Sequence, residues 1–219
     1  MKKFINVRNI IIILIILLVV FYLVFMRSRN PRGSKTYAMF YDLVNKDVLT
    51  MKLDFRAVDS DTKFTAIFSS DKTQNKSVTI LDTLDYSVDN EEYDLVHITG
   101  VTITENGKSH VYQIHYHTQT YYDFGEEDAT DEVNSWLDVF NTVPSESKYY
   151  TKSHEVINGE SLLVETFPEK GYKFYYKDNE LKYTKQNHED TLYTVTFEDS
   201  FIDESLTKIP EGFTLMENE

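Results

Sequence analysis

The sequence predicts an α+β protein: an N-terminal transmembrane helix followed by a strongly curved antiparallel sheet of roughly ten strands, with two helices on its concave side. Three observations carry that expectation. Residues 10–26 are an unbroken uncharged run, nearly all Ile, Leu, Val or Phe. Beyond residue 47, apolar residues recur with period two in stretch after stretch, and short turn signals separate the stretches. Only two stretches, near residues 34–44 and 130–140, carry a helical period instead.

The apolar run sets the first element. Seventeen residues of helix span roughly 26 Å, the short end of a bilayer core. A cleaved signal peptide would end in small residues, whereas Val24-Phe25-Met26 meets Arg27-Ser28-Arg29. The run therefore reads as an uncleaved anchor. Its flanking charges tie, with Lys2, Lys3 and Arg8 on one side and Arg27, Arg29, Arg32 and Lys35 on the other. An outward-facing C-terminal domain is expected because long domains translocate largely regardless of charge. The complete absence of cysteine agrees with that side. Residues 1–33 read as cytoplasmic tip, anchor and stalk, and residues 34–219 as one extracytoplasmic domain on a single-pass cell-membrane protein.

The domain then opens with a helix. Ser34 is placed to cap it, and Tyr37, Phe40, Tyr41 and Val44 form its apolar stripe. Leu49, Met51, Leu53, Phe55 and Ala57 alternate with polar residues, as a half-buried strand does. Phe64, Ala66 and Phe68 repeat the pattern, and Val78 with Ile80 follow. Further strands are expected at 93–98 and 101–104. Asn106-Gly107 signals a hairpin into one long strand from Ser109 to about Tyr122. Residues 125–128 read as an acidic loop. A second helix, capped by Thr130 or Asp131, presents Val133, Trp136, Leu137 and Phe140, and Pro144 closes it. The last third reads as strands at 148–156, 160–167, 172–177, 180–185 and 192–198, with turns at Asn158-Gly159 and Asp178-Asn179.

That last third resembles a known family. The hairpin Glu155–Phe167, the aromatic strand Tyr172-Lys173-Phe174-Tyr175-Tyr176, the segment Thr194-Val195-Thr196-Phe197 and the closing Ile209-Pro210-Glu211-Gly212-Phe213 follow the order seen in the LolA-like lipoprotein carriers of bacteria. The resemblance covers residues 145–215 best. It implies a half-open β-barrel of about eleven strands whose mouth accepts acyl chains. LolA-type carriers diffuse freely, and their acceptors hang on a lipidated cysteine; this chain has no cysteine and is expected to be held by its uncleaved helix, which points to a tethered binder over a shuttle.

Composition excludes several functions. Residues 36–219 carry 15 Lys/Arg against 36 Asp/Glu, a net charge of −21. Such a domain repels nucleic-acid phosphates. Without cysteine there is no thiolate metal site and no thiol nucleophile. No Ser-His-Asp order, nucleophile elbow or phosphate loop stands in the chain, so neither an enzyme nor a cofactor is expected. His115 and His117 are weak metal candidates at best, since two ligands do not make a site. On a strand they share a face with Gln113 and Gln119, which makes that face simply the polar one.

The heavy aromatic load, 16 Tyr and 14 Phe, is the informative signal. Phe55, Phe64, Phe68, Tyr112, Tyr116, Phe174, Tyr176, Tyr183, Tyr193 and Phe197 are expected on inward faces, around a cavity that two short helices cannot fill. The expected function is a membrane-anchored binding protein for a lipid, lipoprotein or other apolar ligand. The alternative is a tethered scaffold domain without a small ligand, whose acidic surface meets a basic protein partner.

Overall fold

The computed structural model describes residues 30–56, 63–89, 92–128, 135–186 and 191–216. Alternating apolar residues build twelve strands: β1 Val48–Arg56, β2 Lys63–Asp71, β3 Lys76–Asp89, β4 Glu92–Glu105, β5 Lys108–His115, β6 Thr120–Asp128, β7 Thr151–Ile157, β8 Glu160–Phe167, β9 Tyr172–Lys177, β10 Glu180–Gln186, β11 Tyr193–Glu198 and β12 Thr214–Met216. All lie in one sheet, ordered β12-β6-β5-β4-β3-β2-β1-β11-β10-β9-β8-β7. Every pairing is antiparallel except that of β12 with β6. The described residues also form two α-helices, α1 Lys35–Val44 and α2 Ser135–Glu146. Asn106-Gly107 and Asn158-Gly159 turn their hairpins with positive φ at both residues, the geometry that matches strand twist.

Because side chains alternate across a strand, the register assigns every core residue to a face. Met51 stands opposite Phe68 and Phe197, so these three share one face. Both helices pack there. Phe40 of α1 and Phe140 of α2 stack at 5.7 Å, and each meets Phe174 edge-on. Ile67, Ile80, Val101 and Tyr112 stand in one cross-strand row on the other face. There the chain after β11 runs back over the sheet as an irregular strap, bringing Phe201, Ile202, Ile209 and Phe213 against β2–β6. A third cluster on that same face, Leu162, Val164 and Tyr175, lies under β8–β10.

A buried carboxylate fixes α1 to the sheet. Glu165 projects from β8 with no solvent exposure. It accepts hydrogen bonds from the Lys35 N–H (3.0 Å), the Thr36 N–H (2.9 Å) and the Thr36 hydroxyl (2.7 Å). Lys152 lies 3.4 Å away. Ser34 accepts from the Tyr37 N–H, as its capping position requires. A carboxylate at a helix N-terminus meets unpaired N–H groups and the positive end of the helix dipole together.

Several expectations need correction. The expected anchor at residues 10–26 lies outside the described residues. Among the described residues no helix is long and apolar enough to cross a membrane. α1 has ten residues and α2 twelve, about 15 and 18 Å, against a hydrocarbon core of about 30 Å. The transmembrane helix, the single-pass cell-membrane localisation and the signal-anchor reading are corrected to that statement. The picture of ten or eleven strands curled as a half-open barrel around two helices is also replaced. Among the described residues there are twelve strands in one sheet that ends in β12 and β7; the helices pack over Met51, Phe68 and Phe174 on one face, while Val78, Ile80, Val101 and Ile114 have their core on the opposite face.

The miscount has local causes. The long strand expected from Ser109 to Tyr122 is two strands, because residues 116–119 turn and Gln119 takes a φ of 54° without glycine. The expected acidic loop at 125–128 is the end of β6. Strand β4 runs unbroken through the two short pieces read at 93–104. α1 buries Thr36, Phe40 and Leu43, whereas Tyr41 is exposed, so its apolar stripe is rotated from the one expected. Pro144 sits inside the last turn of α2, which continues to Glu146. The caps Thr130 and Asp131, and Val133, lie outside the described residues.

Candidate functional site

A cavity of about 170 Å³ lies between α2 and the sheet. Its floor crosses four strands of the helix-covered face: Leu53 from β1, Phe64 and Ala66 from β2, Tyr193 from β11, and Thr184 with Gln186 from β10. Tyr172 of β9 and Phe140 of α2 complete the wall. Strand alternation explains the floor. Leu53 stands opposite Ala66, and Thr184 opposite Tyr193, so all four point to the same side. Phe140 leans on Tyr172 at 6.0 Å, which places α2 as one wall.

The polar groups of this site gather on one side. The Gln186 amide N–H donates to the Tyr172 hydroxyl at 2.6 Å. The Thr184 hydroxyl donates to the Lys173 carbonyl at 3.2 Å, which satisfies its proton within the strand pair. Among the described residues no Lys, Arg, His, Asp or Glu lines the cavity. The chemistry available is therefore apolar contact over most of the wall and neutral hydrogen bonding at one place.

The ten aromatics named from the sequence divide between the two faces. Phe64 and Tyr193 line the cavity. Phe55 is beside it, its ring 5.9 Å from that of Tyr193. Phe68, Phe174 and Tyr176 are buried core on the same face, with Phe197 half-buried beside Phe40. Tyr176 donates to or accepts from the Thr36 hydroxyl at 2.9 Å, and burial raises its phenol pKa far above the ordinary value. Tyr112, Tyr116 and Tyr183 are on the opposite face. Tyr112 donates to the Thr207 carbonyl of the strap. Tyr116 stacks on His97 at 4.1 Å and meets Phe213. The structure thus does not bring Phe68, Tyr116 and Phe174 to a common mouth.

Tyr183 is displaced by a β-bulge. The pairing of β10 with β9 slips between Leu181 and Tyr183, so the two residues face opposite sides although they are two apart. Thr184 and Gln186 consequently take the inward positions that strict alternation assigns to Tyr183 and Lys185. Leu53, Ala66, Phe140, Tyr172, Thr184 and Gln186 are the lining residues that the aromatic pattern does not select as site residues. Leu53, Ala66 and Phe140 are legible as core positions. The slip at Leu181 leaves no mark in the sequence.

The two histidines lie at the end of β5 and just beyond it. β5 ends at His115 and His117 lies in the following turn, with ring centroids 5.9 Å apart. Among the described residues no group of three or more His, Asp or Glu is placed to hold a metal ion. Burial, with the neighbouring His117 second, lowers the His115 pKa.

Comparison with known proteins gives little. No protein-family profile matches the chain, and no curated protein matches it. Among solved structures, it is similar to an uncharacterized conserved protein from Thermus thermophilus, at 9% identity and a TM-score of 0.38. That match covers 82% of this chain and 97% of the other. A likeness at that level carries no argument about fold or function.

Proposed function

We propose that this domain is a binding protein for a small apolar molecule, held in the cavity between α2 and strands β1, β2, β9, β10 and β11. The carrying observation is the cavity itself, about 170 Å³ walled mainly by Leu53, Phe64, Ala66, Phe140, Tyr172 and Tyr193. An apolar cavity of about 150 Å³ holds benzene in a well-packed protein. Full lipid chains need more; drug-sized ligands occupy sites of about 300–1,000 Å³. The ligand class implied by the LolA-like resemblance, an apolar molecule on the inner side of a sheet, is kept in kind and reduced in size.

The affinity expected is modest. A ring-sized ligand burying roughly 200 Å² of apolar surface gains about 5 kcal/mol, equivalent to a dissociation constant of about 0.2 mM. Toluene titrated into the full chain and followed by NMR should produce saturable shifts in that range. Ala66→Leu fills the cavity from its floor, and should abolish those shifts without lowering the melting temperature. A folded wild type that shows no saturable shift with toluene overturns the reading.

The alternative, a scaffold that meets a basic partner, has one observation in its favour. The outer edge of β6 beyond its pairing with β12 carries Asp123, Glu126, Glu127 and Asp128, with exposed Phe124, Leu215 and Met216 beside it. Its test is independent of the cavity: charge reversal at Glu126 and Glu127 should abolish capture of a basic extended peptide.

A further inference from the structure

From the lining of the cavity we infer that its ligand is an uncharged ring-sized molecule bearing one hydrogen-bonding group, and that Gln186 is the residue that selects for that group. The inference rests on the binding reading above and narrows it. Three observations carry it.

The first is charge. None of the eight lining residues is ionised at neutral pH. A buried carboxylate or ammonium needs a partner within the site, and without one its desolvation outweighs the apolar contact. The basic side chains nearest in sequence are directed elsewhere. Lys173 forms an ion pair with Glu155 on the opposite face, at 2.7 Å. Lys185 alternates with Thr184 and Gln186 and so points away from them. The connections 57–62 and 187–190, which lie outside the described residues, contain no Lys or Arg. Among the described residues, fatty acids and other anionic amphiphiles therefore meet no counter-charge in the cavity lining.

The second is the placement of the polar atoms. Gln186 and Tyr172 stand opposite each other on neighbouring strands and are already joined by the 2.6 Å hydrogen bond. That bond fixes the amide plane at the cavity wall. A side-chain amide has one carbonyl oxygen and two N–H groups, and the bond to Tyr172 uses one N–H. The remaining carbonyl and N–H can serve a hydroxyl, a carbonyl or an amide, whichever the ligand carries.

The third is the local backbone. The β-bulge between Leu181 and Tyr183 is what turns Thr184 and Gln186 inward. Without it the same segment would present Tyr183 and Lys185 to the cavity, a charged and bulkier lining. Bulges re-aim side chains at functional sites. Here the bulge exchanges a cation for a neutral amide.

Three probes of one size separate the outcomes on the full chain: toluene, benzyl alcohol and benzoate, titrated at pH 7 into wild type and Gln186→Leu. In wild type, benzyl alcohol should bind about tenfold tighter than toluene, the worth of one hydrogen bond in a dry site. Benzoate should bind at least tenfold more weakly than toluene. In Gln186→Leu the advantage of benzyl alcohol over toluene should vanish, with a cooperative urea transition showing that the variant is folded. Toluene binding with no preference for the alcohol, or benzoate matching the alcohol, overturns this inference and leaves the binding reading standing. A preference that survives in Gln186→Leu overturns the assignment to Gln186. Failure of all three probes on wild type sinks both.

Discussion

The two halves of the sheet bury their cores in different ways. The half built from β1, β2 and β8–β11 is covered by regular helices, whose aromatic rings Phe40 and Phe140 stack on each other and on Phe174. The half built from β2–β6 is covered on the opposite face by the strap from Phe201 to Phe213, which has only one short 3₁₀ turn, Glu204–Thr207. A helix is a stiff cylinder about 10 Å across and cannot follow every contour of a twisted sheet. An extended strap can. It seats Ile202 against the sheet while the Ile202 N–H bonds to Ser69, and Lys76 reaches Glu204. The described cavity lies under the helix cover, where a stiff cylinder on a twisted sheet leaves room for it.

The comparison predicts unequal responses to truncation. Phe174 is fully buried and touches both helices through Phe40 and Phe140. Phe174→Ala should cost about 3–5 kcal/mol in urea unfolding, because regular helices relax poorly around a new void. Phe174 is floor to the core and not a mouth residue, so its removal should act on stability before it acts on any ligand. A loss below about 1 kcal/mol would mean that the helix cover collapses as readily as the strap.

The next effect concerns what holds the helix cover in place. Glu165→Ala removes three hydrogen bonds to the start of α1 and leaves Lys152 without its buried partner. A loss of about 3 kcal/mol is expected. Glu165→Gln keeps the acceptor oxygen and should recover part of it. If the two variants are equally unstable, the charge and not the hydrogen bonding fixes the helix.

What is legible in the sequence follows the same division. Strands whose apolar residues alternate, such as Leu49, Met51 and Leu53, stand where the pattern puts them, and so do the hairpins at Asn106-Gly107 and Asn158-Gly159. The start of α1 follows from the capping chemistry of Ser34. What stays hidden depends on contacts distant in sequence. Glu165 looks like any charged residue of a strand until α1 is brought 129 residues back to it. The strap has no period at all, so nothing in its sequence signals the burial of Ile202 and the packing of Phe213. Alternation alone also cannot say which of two faces is covered, which is why it groups Tyr112 and Tyr116 with Phe174. The bulge at Leu181 then moves Gln186 into the site, a one-residue slip that changes every inward side chain after it.

On the strap side, Ile202→Ala should cost about 2 kcal/mol, the low end for such a truncation, because an irregular segment can settle into the space. Native-state hydrogen exchange sharpens the contrast. Amides of residues 201–213 should open below the global unfolding energy, and those of β1, β8 and β9 only with it. Equal protection in both would show that the strap and the helices unfold as one unit.

The smallest expected effect concerns His115, at the end of β5. His115 points to the helix side of β5, in the row Phe64, Thr83, Ile98, His115 that runs away from the helices. Its Nε2 is buried and has no hydrogen-bond partner among the described residues, and the ring meets Tyr122 at 5.2 Å and His117 at 5.9 Å. Burial first, and the charge of His117 second, hold its pKa below the ordinary 6.5. Between that folded value and 6.5 the unfolded chain binds the extra proton, so stability rises with pH across the interval. The contribution is fully present above pH 6.5 and is lost as the pH falls through the folded value. His115→Gln should therefore flatten the stability curve between about pH 7 and 5, with the variant gaining on wild type as the solution is acidified. Urea midpoints at half-unit steps of pH read the difference directly. Parallel curves for the two proteins would mean that His115 takes up its proton in the folded state as easily as in the unfolded one, and that its ring is open to water.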